Sequence, residues 1–198
     1  MKTTPQNPLI VGVSGASGAV YGARVLDACR EMGVATHLVV SRAAALTLAA
    51  ETSLSLADLC GRADVVHRAS DLAAPIASGS FRSRGMIIAP CSIRTMSEIA
   101  TGATSSLLTR AADVVLKERR PLVLMIRESP LHLGHLRTLV QLAEMGAVIA
   151  PPSPAFYASP VSLEDIVDQI VGRALDLLGI DWPRVRRWGE SRVPAATS

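Results

Sequence analysis

The stretch Leu9-Ile10-Val11-Gly12-Val13-Ser14-Gly15-Ala16-Ser17-Gly18 decides the fold. Five residues, four of them aliphatic, run straight into a turn of small residues. Helical spacing then takes over across residues 19–32, with Val20, Ala23 and Leu26 on one side, and Gly33 ends it. A strand, a serine- and glycine-rich turn and a helix in that order open a βαβ unit.

The same alternation continues downstream. Short apolar runs at residues 35–40, 65–66, 86–89, 122–126 and 147–150 read as strands, each short enough to be buried in a parallel sheet. Helical patterns fill residues 43–50, 93–100, 106–118 and 130–145, and residues 70–84 read as a loop. A last helix starts at Ser162, with Glu164 and Asp165 in its first turn, and runs to residue 178. The expected fold is a single α/β domain, Rossmann-like or flavodoxin-like, with an open parallel sheet of about six strands and helices on both faces. Residues 1–180 form that domain, and residues 181–198 form a C-terminal tail expected to pack on a neighbouring subunit.

Composition agrees. The 198 residues are 49% hydrophobic, 19% charged and 3% aromatic, enough apolar material for one core and too few charges for a disordered chain. No run approaches the roughly 18 apolar residues of a membrane span. The start, Met1-Lys2-Thr3-Thr4-Pro5, lacks the pattern of a secretory signal, so a cytoplasmic protein is expected. Cys29, Cys60 and Cys91 suggest neither a disulfide framework nor a Cys-x-x-Cys site. The net charge of +3 is spread along the chain, and with so few aromatics nucleic acid is not the expected partner. Lys2 and Lys117 are the only lysines among 20 basic residues, which singles out Lys117 as a position where a compact ammonium is needed.

In an open parallel sheet, ligands bind at the carboxyl ends of the strands. The first such end, Gly12 to Gly18, holds more serine and glycine than a turn requires and precedes a helix N-terminus, where a phosphate can be held. It is not the G-x-G-x-x-G fingerprint, and no acid ends the second strand, which disfavours NAD; Ser41-Arg42 at that end suits a ribose phosphate. Pro90-Cys91-Ser92 ends the fourth strand, where a helix N-terminus would lower a thiol pKa, although a buried structural cysteine is the commoner outcome. His132 and His135 stand three apart without an identifiable third metal ligand, so no metal is expected. Arg110, Asp113 and Lys117 share a helix face. Arg173 falls in line with Ile166, Ile170 and Ala174 on the expected buried side of the last helix, where a guanidinium needs an anion. Tyr157 lies in a proline-rich loop. Glu51, following Ala49 and Ala50, is expected to be partly desolvated and able to exchange a proton near neutral pH.

Taken together, residues 9–188 resemble the UbiX-type flavin prenyltransferases of the homo-oligomeric flavin-containing cysteine decarboxylase-like superfamily. The resemblance rests on Val11 to Ala19, Ala77-Ser78-Gly79-Ser80, Ala89-Pro90-Cys91-Ser92, the long run from Arg110 to Leu124, Arg127-Glu128-Ser129-Pro130, Gly146 to Pro152, Phe156-Tyr157 and Arg187-Trp188-Gly189-Glu190. It implies transfer of a dimethylallyl group from dimethylallyl monophosphate to reduced FMN without a metal. The product, prenylated FMN, would serve a UbiD-type decarboxylase, and the enzyme would be a dodecamer with sites at subunit interfaces.

By motif, the resemblance gives Gly15, Ala16, Ser17, Ser41, Ser92, Ile93, Arg94, Thr95 and Arg127 to FMN. It gives Lys117, Tyr157, Arg173 and Arg110 to the prenyl phosphate. Glu51, Lys117, Ser17 and Glu128 would be the catalytic set, Glu51 assisting proton transfer during ring closure. This chain lacks the tryptophan that some members carry in the loop before Ala77. Two alternatives share the flavin motif: a passive FMN carrier and an FMN-dependent cysteine decarboxylase. The second would need a histidine after the first turn and a Pro-x-Met-Asn segment, where this chain has Glu51 and Pro90-Cys91-Ser92.

Overall fold

The computed structural model describes residues 7–189. Six strands, β1 (Leu9–Val13), β2 (Thr36–Val40), β3 (Val65–His67), β4 (Gly85–Cys91), β5 (Leu122–Ile126) and β6 (Val148–Ile149), form one sheet ordered β3-β2-β1-β4-β5-β6. All five pairings are parallel. The helices are α1 (Ala19–Glu31), α2 (Arg42–Glu51), α3 (Leu56–Cys60), α4 (Ile93–Thr101), α5 (Leu107–Lys117), α6 (Leu133–Glu144) and α7 (Leu163–Asp176). The chain leaves β1 toward β2 on one side and returns to β4 on the other, so the order reverses there and opens a crevice above the two strand ends.

Strands β1, β4 and β5 are buried along their whole length, which is why they read as continuous apolar runs. Their alternation builds two cores. Leu9, Val11, Val13, Val123 and Met125 face one layer with Leu26 of α1, Leu175 of α7 and Trp182; Ile10, Leu122, Leu124 and Ile126 face the other with Met96, Leu108 and Leu142. Cys91 breaks the rule. The register of β4 on β5 shifts between Ile88 and Cys91, which turns the thiol into the second layer. Truncating Leu26, fully buried in the first layer, to alanine would cost about 2–5 kcal/mol.

Gly22 lets α1 lie close on the sheet, because a Cβ there would strike the Ala89 carbonyl and the Val13 side chain. The exposed edge strand β3 is short, with Val65 and Val66 both accessible, which accounts for its faint sequence signal. Helix α3 was not expected; it is five residues long and marked only by the Ser55–Asp58 capping box. The loop expected at residues 70–84 contains a single 3-10 turn, Pro75–Ala77. The first part of the tail belongs to its own chain. Trp182 is wholly buried, donates from Nε1 to Glu31 at 2.9 Å, and has the Arg24 and Arg184 guanidinium groups against its ring. Residues 190–198 of that expected tail, Glu190 among them, lie outside the described residues.

Candidate active site

The turn after β1 is fixed from below by Ser14. Its side chain is buried, its Oγ donates to the Pro90 carbonyl at 2.9 Å, and the same oxygen accepts from the Ser92 N–H at 2.8 Å. One hydroxyl thereby locks the ends of β1 and β4 together at the crevice. In the sequence Ser14 is one of the serines that exceed what a turn requires; its place next to a strand end is visible there, its partner 76 residues away is not.

Above it, Gly18 caps α1 in the left-handed conformation (φ 104°), with no side chain to satisfy the helix N-terminus. Glu51, at the end of α2, does so instead. Its Oε2 accepts from Gly18 N at 2.7 Å and from Ala19 N at 3.2 Å. Partial desolvation pushes this carboxyl up, but the Gly18 N–H, the Ser17 hydroxyl, the Ala19 N–H and the Arg127 guanidinium pull it further down. The net position is below the usual carboxylate range, correcting the expectation of a group titrating near neutral pH. The physical reason is that the donors at the start of α1 and the Arg127 charge together outweigh the desolvation, to which the exposed Ala49 and Ala50 add no apolar wall.

A cleft of about 340 Å³ opens beside this turn. Gly15, Ser41, Ser92, Arg94 and Thr95 line it, as do Glu98, Ser105 and Thr109, which sequence reading did not select. Ser41 caps α2 by accepting from Ala44 N, and Ser92 caps α4 by accepting from Thr95 N, so two helix N-termini converge on the cleft with their positive ends. Glu98 takes the Ser105 hydroxyl at 2.6 Å and Arg94 Nε at 2.9 Å, which holds the otherwise exposed Arg94 at the rim. Two dipoles, a rank of hydroxyls and a guanidinium suit a phosphorylated, hydroxyl-rich ligand, and the volume falls within the ~300–1,000 Å³ of small-molecule sites. FMN has that chemistry.

Ala16 is buried within the turn, Ser17 is exposed on it, and Ile93 is half-buried at the first position of α4. Arg127, just beyond β5, donates its backbone N–H to the Cys91 carbonyl, and its charge reaches Glu51 and Tyr21. Glu128 beside it is exposed and accepts from Ser129 N.

Each of the four residues expected at the prenyl phosphate has a partner of its own within the chain. Arg110 donates to Asp113 at 2.8 Å and to the Ala77 carbonyl. Lys117 pairs with Glu118 at 2.5 Å. Tyr157, half-exposed, meets the Trp188 ring edge-on at 5.3 Å between centroids. Arg173 pairs with Asp176 and lines a recess of about 180 Å³ against Pro151, Ser153 and Ala155. Its side chain is 52% exposed, correcting the expectation of a buried guanidinium. It lies at the margin of the α7 apolar stripe, where its stem covers the edge and its head stays in water.

Two further candidates resolve plainly. Burial pushes the Cys91 thiol far above its usual range, the opposite of activation at a helix N-terminus. His132 caps α6 through Nδ1, accepting from Gly134 N and His135 N, and no cluster of three metal-ligating side chains occurs among the described residues.

Known proteins are similar to this chain in sequence and fold. The Flavoprotein family model matches residues 2–175. The Flavin prenyltransferase UbiX of Escherichia coli (strain K12) is 58% identical over 183 residues, 91% of this chain and 97% of that protein. The crystal structure of AnUbiX (PadA1) in complex with FMN and dimethylallyl pyrophosphate superimposes with a TM-score of 0.92 at 46% identity, covering 94% of this chain and 99% of that one. A dodecameric FMN-dependent Ubix-like decarboxylase from Escherichia coli O157:H7 gives 0.89 at 49% identity, covering 91% and 98%.

Proposed function

The chain belongs to the Flavoprotein family and is a UbiX-type flavin prenyltransferase, and from that premise we propose how its own residues carry the reaction. A dimethylallyl group passes from a dimethylallyl phosphate to reduced FMN, and the phosphate leaves. We take the donor to be the monophosphate. FMN supplies an electron-rich ring system as nucleophile when bound, so no nucleophilic side chain is needed.

The single observation that carries the assignment of residues is the cleft at the reversal point of the sheet, ringed by the caps of α2 and α4. Ser41, Ser92 and Thr95, with the backbone N–H groups of Gly15, Ala16, Ser17, Ile93 and Arg94, would hold the ribityl phosphate. Arg127, from the end of β5, would face the ring system beside the β1 turn. Lys117, Arg110, Tyr157 and Arg173 would hold the donor phosphate. Departure of that phosphate builds negative charge on oxygen, which ammonium, guanidinium and phenol groups stabilise. We propose that a neighbouring subunit completes the donor site. A dodecamer like that of the Escherichia coli O157:H7 neighbour would supply one.

Glu51 enters as an ionised carboxylate and so as a proton acceptor, with Ser17 at hydrogen-bond reach, and Glu128 would help to shape the site. We further propose a UbiD-type decarboxylase as the recipient of prenylated FMN. The cytoplasm is the matching compartment, since the reaction uses a reduced flavin and the chain keeps its three cysteines free.

The test is anaerobic incubation of the purified protein with reduced FMN and dimethylallyl monophosphate, followed by mass spectrometry of the extracted flavin. A gain of one dimethylallyl unit with phosphate released supports the proposal; unmodified flavin recovered in stoichiometric amount refutes this donor.

A further inference from the structure

Lys117 sits over Gly79. A Cβ added to Gly79 would lie 2.8 Å from Lys117 Nζ and closer still to the Glu118 carboxylate, so the ammonium and its partner occupy space that only glycine leaves open. The segment bearing Gly79 is tied to α5 on one side and to Arg120, three residues beyond the end of α5, on the other. Upstream, Arg110 Nε donates to the Ala77 carbonyl at 3.2 Å. Downstream, Arg120 Nη2 donates to the Gly79 carbonyl at 2.9 Å, while Nη1 donates to the Phe81 carbonyl at 2.5 Å and reaches Ser83 Oγ at 3.5 Å. Arg120 is half-buried and spends both terminal nitrogens on loop oxygens, with no carboxylate among these partners.

We propose that Arg120 is a positioning residue for Lys117, clamping the 79–83 loop so that Gly79 forms a fixed seat for the ammonium. The proposal rests on the reading of Lys117 as a ligand of the donor phosphate. Lys117 is a flexible point charge on four methylenes; its rotamer freedom is costly to lose at the moment of binding. A seat formed in advance removes part of that cost. Glu118 parks the ammonium at 2.5 Å in the free chain, and Lys117 in turn holds the Glu118 carboxyl below its usual range. A phosphate arriving over Gly79 therefore meets a cation already in place. A planar fork with donors aimed at two carbonyls does this work, and a lysine could make only part of it.

The test uses full-length protein loaded with oxidised FMN, which binds the donor without consuming it, and reads the Kd of dimethylallyl monophosphate beside the Kd of FMN. Arg120→Gln and Gly79→Ala should each weaken donor binding about tenfold, with FMN affinity unchanged, a size appropriate to a misplaced charged contact. Arg120→Lys should recover part of the loss, leaving about a threefold effect, because one ammonium can reach one of the two carbonyls. Lys117→Met is the reference. If it weakens the donor while the Arg120 and Gly79 variants do not, the positioning role is wrong. If Lys117→Met itself leaves donor binding intact, the reading of Lys117 is what fails. Equal loss of FMN and donor binding in Arg120→Gln would mean that Arg120 supports the fold at large, and would overturn the proposal. Should that variant not fold, Arg120→Lys carries the test, and a donor Kd equal to that of the unsubstituted protein would overturn the proposal.

Discussion

Glu51 caps a helix other than its own: its Oε2 lies 2.7 Å from the backbone nitrogen of Gly18, the residue that opens α1. The same carboxylate is thus a structural anion and the proposed proton acceptor. Glu51→Gln keeps an acceptor oxygen but removes the charge, so stability should fall by only about 0.5–1 kcal/mol, as for a weakened cap. Turnover should fall far more, about 10²–10³-fold, as when a general base is lost. Urea unfolding and single-turnover kinetics separate the two. The carboxyl is held low in the folded chain, so its stabilisation is present above the ordinary carboxylate pKa and is lost as pH falls through the depressed value. The glutamine variant should lack that component of acid sensitivity.

Ser14→Ala leaves the half-buried Ser92 N–H without its acceptor and removes the side-chain link between the two strand ends, while the Ser14 N–H still donates to the Pro90 carbonyl. A cost of about 1–3 kcal/mol is expected for a donor left unsatisfied. Because Ser92 also caps α4 on the cleft, FMN affinity should drop in parallel, which fluorescence titration would register. A full loss of stability with unchanged FMN affinity would disconnect Ser14 from the site.

Much of this was legible beforehand, for definite reasons. Strands β1, β4 and β5 are buried on both faces, so their apolar runs stand out, and α7 opens on a serine cap, Ser162, with two acids in its first turn. Helix α3 is too short to show a period. Glu51 was misread because Ala49 and Ala50 look like an apolar wall in sequence but are exposed in the fold. Arg173 was misread because spacing from Ile166 and Ile170 cannot tell the centre of a buried stripe from its margin. Ser14 and Arg120 act on oxygens and nitrogens brought near by the tertiary fold, and no local pattern announces that, whereas Glu98 pairs with Arg94 one helical turn away on α4.

Cys91 offers a test of the chemistry. It sits in the flavin motif, yet it is fully buried and its thiol is pushed up by burial. Cys91→Ala should retain turnover within about threefold, the change reflecting only a small cavity in the second core layer. Native protein should also resist iodoacetamide at this residue until unfolded. Loss of turnover in Cys91→Ala with FMN still bound would give the thiol a role that its burial argues against.

His37 and His67 should make the fold acid-sensitive. Their rings meet across β2 and β3, His37 Nδ1 to His67 Nε2 at 2.9 Å, and Phe81 covers His37 at 5.0 Å between centroids. One nitrogen must donate and the other accept, so the pair tolerates one proton beyond neutrality at that contact and not two. Burial, followed by the neighbouring His67, lowers the His37 pKa against the opposing pull of Asp64; burial lowers that of His67 against Asp71. Both groups are therefore harder to protonate folded than unfolded. Stability is intact above the ordinary histidine value of about 6.5 and declines as pH falls through the depressed folded values. A pH series of urea unfolding between pH 7.5 and about 5 should show that decline. His67→Gln, which keeps a hydrogen-bonding side chain without the titration, should flatten it; an unchanged slope would place the acid sensitivity elsewhere, with the carboxylates that cap helices as the next groups to test.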